Sequence, residues 1–255
     1  MKNNNSPILS VQNLSVKFPK KRSIFFKKRS FHQVLSHIYL ELFRGKITAL
    51  VGESGSGKTT IGNTMVGLVQ NFTGEFQFEE TSYYPLNMFH LRGEIQFIFQ
   101  DSLSALNPRM NIRSTLKEVL YVHKSNETFE MILDQVQLPH SIAEKYPHEL
   151  SGGQRQRVNI ARALAVKPQV LICDEIVSAL DVSIQAKILN LINSLVQERN
   201  LAILFITHDL NVVKAFADYI IVLSKGKIVE TGMTKKIMKS PENAYTKTLI
   251  SAMNS

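Results

Sequence analysis

The stretch Ile47-Thr48-Ala49-Leu50-Val51-Gly52-Glu53-Ser54-Gly55-Ser56-Gly57-Lys58-Thr59-Thr60 decides the fold of this chain. Its first five residues read as a buried strand. The strand runs straight into Gly52 to Thr59, which fits G-x-x-x-x-G-K-[ST], and a helical pattern over 58–66 stops near Gly67. Strand, glycine loop, helix is the context in which backbone N–H groups wrap a chain of phosphates. Gly52, Gly55 and Gly57 let the chain curl closely around the anion, Glu53, Ser54 and Ser56 contribute loop N–H groups, and the helix N-terminus points at the charge. Lys58 is placed to reach the β- and γ-phosphates, the Thr59 hydroxyl to ligate Mg²⁺, and Thr60 to contact the α-phosphate.

Outward from this stretch, strand and helix signals alternate, as in an α/β fold. Residues 8–18 and 34–42 read as strands ahead of the loop and predict a small antiparallel sheet. Residues 94–99 predict another apolar strand. From Asp101 to Gln156 strand signals stop and helical patterns take over, at 112–121, 128–136 and from 152 onward. Strands resume at 170–173, 202–206 and 219–223, and Ile184, Ile188, Leu191, Ile192 and Leu195 recur at the spacing of a helix buried on one face. Lys225-Gly226 predicts a tight turn into 227–230. The expected organisation is one domain over 1–255: an α/β core from 1–100 and 157–255, with a helical lobe inserted at 101–156.

The apolar run Val170-Leu171-Ile172-Cys173 ends in Asp174 and Glu175. Two adjacent acids at the end of a buried strand are poor structural choices, because burying them unpaired is costly. Beside a phosphate loop they have a use. Asp174 suits Mg²⁺, held through water, and Glu175 suits polarising an attacking water.

A second string, Leu150-Ser151-Gly152-Gly153-Gln154-Arg155-Gln156-Arg157, is a glycine-bearing turn that opens a helix, with nothing near it to complete a nucleotide site in the same copy. A chain carrying both strings resembles, over its whole length, the ATP-hydrolysing subunits of ABC transporters. That resemblance implies a RecA-like P-loop core, an N-terminal antiparallel β subdomain and an inserted α-helical lobe. It also implies ATP with Mg²⁺, clamped between the phosphate loop of one subunit and the turn of another. By resemblance, Gln100 touches Mg²⁺ and the attacking water and links core to lobe. Ser151, Gly152, Gly153 and Gln154 form the signature turn facing the partner-bound γ-phosphate. Ser178-Ala179-Leu180-Asp181 resembles the D-loop of the dimer interface, and His208 the switch histidine on the γ-phosphate. Phe18 is the candidate for stacking on adenine, for which any π face serves. The chain departs from the family at Ile176-Val177, where Pro-Thr is common.

Composition is that of a globular protein, with 44% apolar and 20% charged residues. No run approaches the ~18 apolar residues of a membrane span, and Met1 to Pro7 lacks the apolar core of a signal peptide. The expected location is therefore the cytoplasmic face of the cell membrane. The single cysteine, Cys173, excludes an intramolecular disulfide and reads as a core residue. The net charge of +9 is concentrated in Lys17, Lys20, Lys21, Arg22, Lys27, Lys28 and Arg29, with no acid among them. Outside that segment the chain is near neutral, so nucleic-acid binding is not implied. The Ile24-Phe25-Phe26 core between basic flanks, Lys20 to Arg29, suits contact with an anionic membrane surface.

Three further strings resemble the oligopeptide, dipeptide and nickel import ATPases, in particular the second, F-like, ATPase of such systems. They are Phe99-Gln100-Asp101-Ser102-Leu103-Ser104-Ala105-Leu106-Asn107-Pro108-Arg109-Met110, Val182-Ser183-Ile184-Gln185-Ala186, and the tail from Ser240 through Tyr245 to Ala252. The resemblance implies a second, different ATPase, two transmembrane permeases and an extracellular solute-binding protein as partners, with peptide, nickel or a metal chelate as cargo. The segment around Leu103 and Met110 is the expected permease contact. The alternative is a non-transport ABC ATPase acting on ribosomes or DNA. Such proteins resemble fused double cassettes or carry long coiled coils, and this chain shows neither.

Overall fold

The computed structural model describes residues 6–19 and 31–253; the basic segment 20–29 expected to meet a membrane lies outside them. Strands β1 (Leu9–Pro19) and β2 (Phe31–Leu42) alternate buried and exposed residues over much of their length and pair antiparallel, Leu9 opposite Leu42. All five residues of β3 (Ile47–Val51) are buried, as in a strand covered on both faces. Helix α1 (Lys58–Met65) follows the glycine loop and buries Ile61 and Met65. Strands β4 (Phe72–Phe78) and β5 (Thr81–Tyr83) join the first two in a sheet ordered β2-β1-β4-β5.

After β6 (Ile95–Ile98) the chain forms α2 (Ile112–Val122), α3 (Phe129–Gln135) and α4 (Gly152–Leu164). Helix α4 runs unbroken through position 156. Asn111 and Thr128 cap α2 and α3, each accepting a backbone N–H three residues on. The remaining elements are β7 (Val170–Asp174), α5 (Val182–Arg199), β8 (Ala202–Ile206), α6 (Leu210–Phe216), β9 (Tyr219–Ser224), β10 (Lys227–Met233), α7 (Thr234–Lys239) and α8 (Ala244–Ser251).

The second sheet has the order β10-β9-β3-β8-β7-β6, parallel throughout except for β10. Alternate residues of its central strands feed two cores. Leu171, Cys173, Ile203 and Phe205 pack with α2 to α5, and Ile172, Leu204 and Ile206 pack with α1 and the antiparallel sheet. Burial pushes the Cys173 thiol far up, as befits an inert core residue. This strand order positions the site. β3, β8, β7 and β6 are consecutive neighbours, so the loops after their C-terminal ends emerge side by side.

The β9–β10 turn braces that end of the sheet. Lys225 (φ 47°) and Gly226 (φ 75°) both adopt positive φ, the geometry of a two-residue hairpin loop. Gly226 N–H donates to Ser56 O at 3.0 Å, and Ser36 N–H donates to Gly226 O at 2.9 Å. A Cβ on Gly226 would lie 2.1 Å from Val34 O, so only glycine lets the turn sit against β2 and the phosphate loop together.

Candidate nucleotide site

The phosphate loop leaves β3 with Gly52 at φ 153°, where a Cβ would collide with Leu223 O at 2.1 Å. Glu53, Ser54 and Gly55 are exposed, whereas Ser56, Gly57 and Lys58 are buried; Thr59 is exposed and Thr60 half-buried. Gly57, at φ 110°, occupies the N-cap of α1, and no side chain caps that helix. The Lys58 ammonium donates to Gly52 O at 2.7 Å and to Glu53 O at 3.0 Å. An ammonium has three protons, so one remains for an incoming anion. Burial pushes the Lys58 pKa down, and Glu175 and Asp174 pull it back up.

Asp174 is only 5% exposed at the end of β7. Burial raises the pKa of its carboxyl, the hydrogen bond from the Thr59 hydroxyl opposes that rise, Glu175 adds to it and Lys58 counters it. A buried carboxylate beside a threonine hydroxyl, facing a phosphate loop, is the hard-oxygen donor set that suits Mg²⁺. The residues present fit that ion.

Glu175 sits at φ 48°, a left-handed conformation that costs a non-glycine residue about 1–3 kcal/mol. Its N–H still pairs with Ile206 O at 2.9 Å, so the reversal falls just beyond the β7–β8 ladder. Gln100 Nε2 donates to Glu175 Oε2 at 3.0 Å, and His208 Nδ1 lies 3.3 Å from Glu175 Oε1. The residues after β6, β7 and β8 thus meet on one carboxylate. The departure at Ile176-Val177 has a packing reason: both side chains are 2% exposed and belong to the core shared with α2 to α5.

The signature turn is built separately. Ser151 caps α4, its Oγ accepting Gln154 N–H at 3.3 Å while Gln154 Oε1 accepts Ser151 N–H at 3.0 Å. A Cβ on Gly153 would come 2.7 Å from Ile184 Cγ2, and one on Gly152 3.3 Å from Leu180 Cδ2. The turn therefore seats on the start of α5. Ser178, Ala179, Asp181 and Val182 are exposed beside it, and the Asp181 carboxylate makes no capping bond. Phe18 stands opposite His32 near the end of β1, its ring 38% exposed.

One contact had no signal in the sequence. Tyr245, on α8, accepts the Glu53 N–H through its hydroxyl at 3.1 Å. A groove of about 390 Å³ also opens between α1, β6 and α2, lined by Leu68, Phe97, Phe99, Val119, His123 and Arg162. Leu103 is exposed, and Met110 half-buried, on the loop that follows.

Comparison with known proteins fits this architecture. Residues 35–178 match the ABC transporter family. The chain is 41% identical to the oligopeptide transport ATP-binding protein OppF of Streptococcus mutans, over 99% of this chain and 83% of that protein. It is 40% identical to the glutathione import ATP-binding protein GsiA of Pectobacterium atrosepticum, over 97% of this chain; it spans 41% of that longer relative. Among solved structures, the dimeric ATP-binding cassette MJ0796 bound to ADP and Pi superposes with a TM-score of 0.75 at 26% identity, covering 89% of this chain and 98% of that one. The chain belongs to the ABC transporter family and is one of its ATP-binding, ATP-hydrolysing cassettes. Among the described residues, no helix is long and apolar enough to cross a membrane.

Proposed function

We propose that this cassette powers import of peptides across the cell membrane, working peripherally at the cytoplasmic face with a second ATPase subunit, two permeases and an external solute-binding protein. The observation that carries the catalytic part is the meeting of Gln100 and His208 on Glu175, next to a loop whose lysine and threonine face Asp174. In this reading the loop from Gly52 to Thr60 holds the phosphates, with the Glu53 N–H kept on the Tyr245 hydroxyl rather than on phosphate and Lys58 turning from its two carbonyl partners toward the β- and γ-oxygens. Thr59, Asp174 and Gln100 would hold Mg²⁺, which when bound would offset phosphate charge. Glu175 orients the attacking water and takes its proton, Gln100 fixes the carboxylate, and His208 donates to the γ-phosphate. Phe18 stacks on the base. Ser151, Gly152, Gly153 and Gln154, with the D-loop Asp181, serve the nucleotide on the opposing subunit.

The helices between β6 and β7 form the lobe that meets the permease, with Gln100 at its root. The groove beside Phe99 is a better seat for a short permease helix than the exposed Leu103 loop alone, because it sets apolar Leu68, Phe97, Phe99 and Val119 beside the polar His123 and Arg162. Peptide cargo is favoured over nickel because the relatives named above are oligopeptide and glutathione systems. Deleting the chain from its host should abolish uptake of a labelled oligopeptide, and the wild-type chain, but not Glu175→Gln, should restore it. Intact peptide uptake with lost nickel uptake would transfer the assignment to the metal branch.

A further inference from the structure

The C-terminal helix reaches the phosphate loop, and the contact falls on the peptide unit that Lys58 also grips. We propose that Tyr245 is a positioning residue for nucleotide binding: its hydroxyl holds the Gly52–Glu53 peptide in the orientation that receives phosphate. The proposal rests on the reading of Gly52 to Thr59 as the ATP site.

The geometry is specific. Tyr245 Oη accepts the Glu53 N–H at 3.1 Å. On the opposite edge of the same planar peptide, Gly52 O takes the Lys58 ammonium at 2.7 Å, and Glu53 O, on the next peptide, takes it at 3.0 Å. With no nucleotide present, the peptide is therefore held from both edges. When Lys58 swings onto phosphate oxygens, its hold on Gly52 O and Glu53 O weakens, and Tyr245 Oη is the contact that remains on the N–H edge. Glu53 itself is exposed, so packing does little to fix that part of the loop.

The tyrosine is in turn fixed by two independent anchors. Its ring packs on the cluster of Ala49, Val51, Leu210, Val213, Ile220 and Val222, which includes the strand feeding the loop and the helix after His208. At the start of its segment, Glu230 accepts the backbone N–H of Glu242 at 2.8 Å and of Asn243 at 3.2 Å, and Asn243 Oδ1 accepts the Tyr245 N–H at 2.8 Å. The hydroxyl is thus presented by a packed ring and a capped helix start rather than by a loose tail. Chemically it acts as a neutral acceptor on a loop N–H, with no role in bond cleavage.

The test uses the full chain and a fluorescent ATP analogue under equilibrium conditions with Mg²⁺. Tyr245→Phe keeps the ring in its cluster and removes only the hydroxyl. It should weaken nucleotide binding about threefold, within the size of one lost neutral hydrogen bond, because the bond matters more once Lys58 has left the loop carbonyls, and it should lower the thermal midpoint only slightly. In the assembled transporter the same variant should raise KM for ATP and leave kcat at saturation unchanged. Tyr245→Leu, which also empties the ring site, should lower the thermal midpoint as well. Wild-type nucleotide affinity in Tyr245→Phe would overturn the proposal. A fall in kcat at saturating ATP, with a midpoint as low as that of Tyr245→Leu, would also overturn it, by making the role one of general packing. Wild-type chain that binds no nucleotide, matching a Lys58→Ala control, would instead refute the phosphate-loop reading itself.

Discussion

Glu175 is the side chain on which Gln100 and His208 converge, and the proposed chemistry rests on it. Its left-handed backbone turns the carboxylate off the strand axis to where Gln100 and His208 contact one oxygen each. Strain of that kind persists only when the surroundings over-determine it, and here the Ile206 carbonyl and two hydrogen bonds from Ser178 to Glu175 O do so. Glu175→Gln keeps the size and the polar contacts and removes the charge that accepts a proton. It should bind Mg-ATP with an affinity close to wild type and hydrolyse it about 10²–10⁴-fold more slowly. Single-turnover hydrolysis in the assembled complex, with nucleotide binding measured in parallel, separates the two effects. Near-normal turnover would remove Glu175 from the base role.

Two elements show how local packing serves the site. The signature helix α4 sits so close to α5 that a methyl group on Gly153 meets Ile184 Cγ2, and the β-branched isoleucine has little χ1 freedom with which to yield. Gly153→Ala should cost about 1–3 kcal/mol of stability in urea unfolding, and most of that cost should vanish in an Ile184→Ala background, where the crowded group is gone. Additive effects would place the strain elsewhere. At the other end of the chain, partial burial pushes the Glu230 carboxyl up, but the Glu242 and Asn243 N–H groups and Lys247 more than offset it, so its pKa lies below the ordinary value. A depressed carboxyl pKa stabilises the fold above the unfolded pKa, and that contribution is lost as pH falls through the folded value. Glu230→Gln, compared with wild type at the same neutral pH, should therefore lower the protection of the amides across residues 242–251 against hydrogen exchange. Unchanged exchange in the variant would mean that the cluster around Tyr245 holds the helix alone. The elements differ in how far sequence announces them. β3, α1, β7 and β8 carry strong apolar periodicity or glycine punctuation and stand within a residue or so of expectation. β4 and β5 were not anticipated, because the polar residues and Gly74 in residues 72–83 blur the alternation. The meeting of Gln100, Glu175 and His208 was legible as a family order, but not as a geometry. The Tyr245 contact, spanning 192 residues, had no local signal at all.

At the scale of the whole molecule, the phosphate loop and the signature turn, the two proposed anion-binding structures, belong to different supports. The phosphate loop grows from β3 and is braced by the β9–β10 turn and α8, whereas the signature turn is seated on α5 beside an exposed D-loop. If each nucleotide lies between the loop of one subunit and the turn of another, the two features of a single chain serve two different ATP molecules. That arrangement has a counting consequence. In the complex with a distinct partner ATPase, Lys58→Ala should remove the nucleotide at this chain's own loop and leave the other. Gly152→Asp sets a carboxylate against the opposing γ-phosphate, while its Cβ contact at 3.3 Å from Leu180 Cδ2 is mild enough to keep the fold. It should spare the nucleotide at this chain's loop and eject the partner's. Combined in one chain, the two changes should leave no nucleotide trapped, where each alone leaves one per ATPase pair. Counting radiolabelled ATP retained by complexes carrying catalytic glutamate-to-glutamine changes in both ATPases reads this directly. A double variant that traps as much as Lys58→Ala alone would mean that loop and turn act on the same nucleotide, and the shared-site arrangement would fall.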